Sequence, residues 1–190
     1  MTCIAGIVKD GVVWIGGDSC GSNTRLNTIR RDGKVFETGE FIIGYTSSYR
    51  MGQLLQYSFH VPKQRLEESD YQYMTTRFID SVRDCFKAGG YMRVNNSEES
   101  GGKFLVGYRG NLYEVDSDYQ VGIPDCGYSA VGSGDEVALG SLYSSDGEGR
   151  SPRERIILAL EAAEYLTPYV KAPFHVMCSG EEEEEEREVG

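Results

Sequence analysis

Two short apolar runs near the start of the chain limit the fold more than any other stretch. They are Thr2-Cys3-Ile4-Ala5-Gly6-Ile7-Val8 and Val12-Val13-Trp14-Ile15-Gly16-Gly17-Asp18, separated by Lys9-Asp10-Gly11. Both contain β-branched residues, and Asp-Gly between such runs signals a hairpin. Neither run alternates polar with apolar residues. Such strands are covered on both faces, here by helices on one side and a second sheet on the other. A three-residue loop at 9 to 11 pairs Val8 with Val12 and sets Thr2 opposite Asp18. A two-residue loop shifts the pairing by one and leaves the two as diagonal neighbours. Either way, a hydroxyl residue directly behind Met1 stands beside a carboxylate. The small Thr side chain favours removal of Met1, which leaves a free α-amine on Thr2. An N-terminal Thr carries nucleophile and base in one residue, because its amine can take the proton from its own hydroxyl. That amine titrates close enough to neutrality to serve as the base.

A chain of 190 residues, 39% hydrophobic and 26% charged, is long enough for one domain with its own core. The expected organisation is a single domain over 1–180 and an acidic, disordered tail over 181–190. The tail carries seven Glu against one Arg, a net −6 out of −11, so the rest is mildly acidic. That balance argues against nucleic-acid binding through phosphates. No apolar run approaches the span of a membrane helix, and the N-terminus lacks the basic region and cleavage site of a signal peptide. Cys3, Cys20, Cys85, Cys126 and Cys178 are odd in number, scattered, and without a Cys-x-x-Cys pair. They read as reduced thiols in a cytoplasmic protein. His60 and His175 lack metal-ligand spacing, so no metal and no cofactor is expected.

Further along, 19 to 33 is polar and reads as a loop or irregular strand. Lys34–Thr38 and Phe41–Tyr45 form a second strand pair around Gly39-Glu40. A short helix is expected over 48–59 and a longer one over 69–87. In the longer helix Met74, Phe78, Val82 and Phe86 recur every fourth residue, until Gly89-Gly90 stops it. Residues 95–102 read as a loop, 103–109 and 111–115 as a hairpin around Gly110, and 119–123 and 128–131 as short strands. Ser133 and Glu136 have capping-box spacing for a helix over about 135–143. Ser151-Pro152-Arg153-Glu154 opens another, which ends before Pro168. Phe174–Cys178 is a last strand. The order of paired strands and helical hairpins predicts two sheets face to face with helices outside.

Thr2, Gly17-Asp18 and Lys34, in that order and spacing, resemble the proteasome β-subunit family, with HslV-like peptidases most similar. Ile42-Ile43-Gly44-Tyr45 resembles that family's oxyanion-hole segment, and Ala130-Val131-Gly132-Ser133-Gly134 its Gly-Ser-Gly before a helix. The resemblance spans roughly residues 2 to 178. It implies an α+β, four-layer αββα sandwich of the N-terminal nucleophile hydrolases. It also implies a threonine-type endopeptidase acting on polypeptide substrates, in a homo-oligomer of stacked hexameric or heptameric rings fed by an ATPase unfoldase. The catalytic set carried over is Thr2 as nucleophile, Asp18, Lys34, Gly44 as the oxyanion N–H and Ser133 as support for the Thr amine. Gly21, Phe36, Thr46 and Arg50 are carried over as walls of the pocket beside the scissile bond.

Two departures from the family stand out. Ser47-Ser48 replace its frequent Gly-Gly or Gly-Asp, and 167–173 holds neither the acid nor the serine that follows the penultimate helix in proteasomes. A non-catalytic ring subunit and an amidohydrolase acting on small amides are therefore alternatives. The chemistry of the residues runs alongside. Asp18 neutralises Lys34, whose charge keeps the Thr2 amine neutral and stabilises negative charge on its hydroxyl. Ser133 reads equally as a helix cap. As a phosphate cradle, Gly132-Ser133-Gly134 lacks the third glycine and the lysine of nucleotide motifs. Cys3 reads as a small core residue on an apolar strand.

Overall fold

The first hairpin turns through two residues. β1 (Cys3–Lys9) and β2 (Val12–Gly17) pair antiparallel with Lys9 opposite Val12. The computed structural model describes residues 2–23 and 25–180, so Met1 and the acidic segment 181–190 lie outside it. Asp10 and Gly11 take φ of 53° and 77°, the type I′ geometry whose twist matches that of paired strands. The three-residue loop is thereby corrected. Carried outward, the register sets Cys3 against Asp18, whose N–H donates to the Cys3 carbonyl at 3.3 Å, and leaves Thr2 diagonal to the carboxylate.

Where the polar segment predicts irregular chain, β3 (Cys20–Ser22) and β4 (Asn27–Ile29) form a small ribbon. β5 (Val35–Thr38) and β6 (Phe41–Tyr45) follow as the second hairpin. α1 (Tyr49–Tyr57) starts at Ser48, whose Oγ accepts from the Arg50 N–H. α2 (Asp70–Tyr73) runs through a π-helical turn, Met74–Phe78, into α3 (Ile79–Ala88). A strict four-residue repeat drifts around a 3.6-residue helix, and the wider turn offsets that drift. Met74, Phe78, Val82 and Phe86 are accordingly all buried.

β7 (Arg93–Asn95) and β8 (Glu98–Ser100) make a second ribbon that overlaps the expected 95–102 loop, turning through Asn96 and Ser97 at positive φ. β9 (Phe104–Tyr108) and β10 (Asn111–Val115) pair around Arg109-Gly110, and β11 (Val121–Gly122) is shorter than expected. β12 (Tyr128–Gly132) leads into α4 (Asp135–Ser144). α5 (Pro152–Leu166) carries the full Ser151–Glu154 capping box, and β13 (His175–Cys178) ends the described fold.

The strands form two main sheets, ordered β12-β1-β2-β13 and β11-β10-β9-β6-β5. Their inner faces meet through Ile4, Val13, Ile15, Ile42, Leu105 and Leu112. α4 and α5 cover the outer face of the first sheet, and α1 with α2–α3 cover that of the second. The architecture is the expected four-layer αββα sandwich. β1 and β2, sandwiched between a helix layer and a sheet, need apolar residues on both faces, which explains their lack of alternation.

Candidate active site

The open ends of the two sheets frame a cleft of about 270 Å³ lined by Thr2, Ser22, Lys34, Tyr45 and residues 46–49. Thr2 immediately precedes β1. Its N–H donates to Ser133 Oγ at 3.1 Å, and its carbonyl accepts from Ser133 Oγ at 3.3 Å and from the Gly134 N–H at 3.4 Å. Gly132 permits this wrap. It sits at φ 115°, and a Cβ there would fall 2.2 Å from the Thr2 carbonyl oxygen, so no other residue fits. The hydroxyl of Ser133 is thus engaged by Thr2. α4 takes Gly134 as its N-cap, with no side-chain cap bond, which corrects the capping-box reading of Ser133 and Glu136.

Beneath the cleft lies a buried ion pair. Lys34 is 2% and Asp18 1% exposed, and Lys34 Nζ donates to Asp18 Oδ1 at 2.7 Å and to the Cys20 carbonyl at 2.8 Å. Asp18 Oδ1 also accepts from the Cys3 N–H at 3.1 Å. Its Oδ2 accepts from the N–H groups of Cys20 at 2.8 Å and Lys171 at 3.3 Å. A buried pair is tolerated when its remaining lone pairs are satisfied, as these are. Lys171 lies on the 167–173 loop that lacks an acid and a serine, so that loop reaches the site through a backbone amide. Burial pushes the Lys34 ammonium below its ordinary range, against the opposing charge and hydrogen bond of Asp18. Burial, with the Asp18 charge adding to it, pushes the Cys3 thiol up. Cys3 therefore stays a protonated, inert neighbour.

Gly44 lies elsewhere. Tyr45 N–H donates to the carbonyl of Lys34, just before β5, and Thr46 N–H to the carbonyl of Lys103, just before β9. Amides alternate sides along a strand, so Gly44, paired with Leu105, turns its N–H into the β9 ladder. A Cβ on Gly44 would meet Ile4 and Ile15 at 2.6 Å, so its glycine serves the approach of the two sheets. Ser47 lies past the end of β6 and lines the cleft. Ser47 sits at φ 64°, and its Oγ accepts from the Lys103 N–H at 3.1 Å. Its signal in the sequence is the Ser-Ser standing where the resembling family often has glycine, a substitution that marks a left-handed position.

Of the expected pocket walls, Thr46 lines the cleft. Gly21 is packed beneath the Arg30 side chain, where a Cβ would meet Arg30 Cδ at 2.7 Å, and Phe36 is a core residue against the Tyr45 ring. Arg50 points outward, with Nη2 donating to the Gly89 carbonyl at 3.3 Å. Ser22, Tyr45 and Tyr49 take the wall positions instead. A larger cavity of about 410 Å³, beside Lys9 and Arg155 at the turn end of β1, contains none of these groups. Among the described residues no cluster of His, Cys, Asp or Glu could hold a metal ion, and none of their helices is long and apolar enough to cross a membrane.

No protein-family model and no curated protein matches the sequence. Solved structures do. BPH of Thiobacillus denitrificans, in complex with epoxomicin, superposes with a TM-score of 0.76 at 17% identity, over 93% of this chain and 97% of that one. Eukaryotic HslV from Trypanosoma brucei gives a TM-score of 0.65 at 16% identity, over 93% and 98%. Anbu, an ancestral β-subunit from Yersinia bercovieri, gives 0.64 at 11%, over 93% and 81%. The fold is that of HslV-like proteasome subunits. In the HslV-like fold of this chain, Thr2, Lys34 and Asp18 converge at one end of the sandwich, and the short β5–β6 hairpin brings Ser47 to the same cleft.

Proposed function

We propose that the chain is a threonine-type peptidase of the self-compartmentalising kind, with Thr2 as nucleophile once Met1 is removed. The observation that carries this reading is the buried Asp18–Lys34 pair, whose lysine lines the same cleft as Thr2. With Met1 gone, the Thr2 nitrogen is an amine held by Ser133. It takes the proton from Thr2 Oγ as that oxygen attacks the peptide carbonyl. Lys34 stabilises the negative charge gathering on Oγ, and Asp18 holds Lys34 in place. The oxyanion is received by the Ser47 N–H, which takes the role that the resemblance gives to Gly44. Collapse expels the leaving amine, protonated by the Thr2 ammonium, and leaves an ester on Oγ. Water, deprotonated by the same amine, then frees the acid and restores the hydroxyl.

The similarity to HslV and BPH supports assembly into homo-oligomeric stacked rings and feeding by an ATPase unfoldase, in the cytoplasm. The test combines intact mass with turnover of fluorogenic peptides. A chain beginning at Thr2 should cleave them, and Thr2→Ala should abolish cleavage while its assembly mass stays unchanged. Retained Met1 in an active preparation, or turnover in Thr2→Ala, removes Thr2 from the mechanism.

A further inference from the structure

The residue whose carbonyl is attacked must lay its side chain against the wall nearest Thr2, and a fixed aromatic ring forms the floor of that wall. Tyr45 ends β6 and is 4% exposed. Its ring sits directly over Gly52 of α1, where a Cβ would fall 2.1 to 2.3 Å from Cζ, Cε1 and Cε2. The Phe36 ring lies 6.3 Å away behind it, and the Tyr49 ring meets it edge-on at 6.1 Å. Held on three sides, the Tyr45 ring fills the space between β6 and α1 into which a deep pocket would extend. Apart from Lys34, the remaining lining is polar and uncharged. Ser22, Thr46, Ser47, Ser48 and Tyr49 line the cleft, and the buried Ser22 Oγ has no protein partner among the described residues. The lining cation, Lys34, is already neutralised by Asp18. Burial pushes the Tyr45 and Tyr49 hydroxyls up, so both remain uncharged.

We propose that Tyr45, seated in the notch left by Gly52, closes the floor of the cleft and restricts the residue before the cut bond to small uncharged side chains: Gly, Ala or Ser. The restriction on substrate rests on the peptidase reading; the plug does not. Beneath the Tyr45 ring a large side chain finds no further depth, and a charged one finds no unpaired counter-charge among the lining residues.

The test uses the full chain and peptides that differ only in that residue: Ala, Ser, Leu, Phe, Asp or Lys. Cleavage after Ala or Ser should exceed cleavage after Phe by about tenfold or more in kcat/KM, and Tyr45→Ala should reverse that order. Equal cleavage after Ala and Phe by the natural chain, or an unchanged profile in Tyr45→Ala, overturns the proposal. Binding of p-cresol, followed by calorimetry, gives a readout independent of Thr2. It should bind Tyr45→Ala and not the natural chain, and failure to bind the folded variant overturns the plug. If no peptide is cut while p-cresol still fills the variant, the peptidase reading fails and the plug stands. Tyr45→Leu carries the same measurements should the alanine variant not fold.

Discussion

The two helical layers are built from different materials. On the α1 to α3 side the core is aromatic: Phe41 stacks on Tyr108 at 4.3 Å and on Phe78 at 5.1 Å, with Phe59 edge-on to Phe78. On the α4–α5 side it is small: Ala5, Ala130, Ala138, Ala159 and Ala163. Glycines tighten that side further, since a Cβ at Gly16 would strike Ile156 Cγ2 at 2.4 Å and one at Gly134 would strike Ala163 Cβ at 2.9 Å. Large rings hold a helix to a sheet through buried area and keep their backbones apart. Small residues let backbones approach, so that Ser133 and Gly134 reach the backbone of Thr2. The aromatic layer therefore supplies stability and the Tyr45 wall, while the close-packed layer positions Thr2, the proposed nucleophile.

Three substitutions test that division. Phe78→Ala, in the middle of the aromatic cluster, should cost about 3–5 kcal/mol in urea melts, with turnover per folded molecule nearly unchanged. A matching loss of turnover would mean the site depends on the aromatic layer after all. Gly134→Ala should cost less, about 1–3 kcal/mol of overpacking. It should nevertheless lower kcat by about 10–100-fold, because a small misplacement of reacting groups is expensive in rate. If kcat is untouched, the close packing does not aim Thr2. Smallest is Ser151→Ala, which removes the α5 capping box for about 1 kcal/mol and lies away from the cleft. Its kcat should equal that of the natural chain, and a fall would show α5 transmitting distant strain.

Much of the architecture was readable in advance because its signals are local. Asp10-Gly11, the four-residue stripe from Met74 to Phe86 and the Ser151–Glu154 box each act over one turn of chain. The ribbons β3–β4 and β7–β8 leave little trace in the sequence because β4 and β7 bury no residue, so nothing imposes a period of two on them. Reading Ser133 as a cap failed because two acceptable hydrogen bonds competed for one hydroxyl, and the nearer partner, Thr2, comes from 131 residues away. Gly44 was the plausible oxyanion donor by pattern. Which way an amide points, however, depends on the neighbouring strand that it pairs with.

Residue order and spacing by themselves determined the sandwich, the hairpin, and the presence of Thr2, Asp18 and Lys34 as a set, since periodicity, turn chemistry and strand length are properties of the chain alone. Only the packed structure decided that the hairpin turns in two residues, that Ser47 rather than Gly44 lines the cleft, and that Tyr45 rather than Phe36 or Arg50 lines it. Register, amide direction and the filling of space are each set by the partner across the gap, and that partner exists only once the layers have come together.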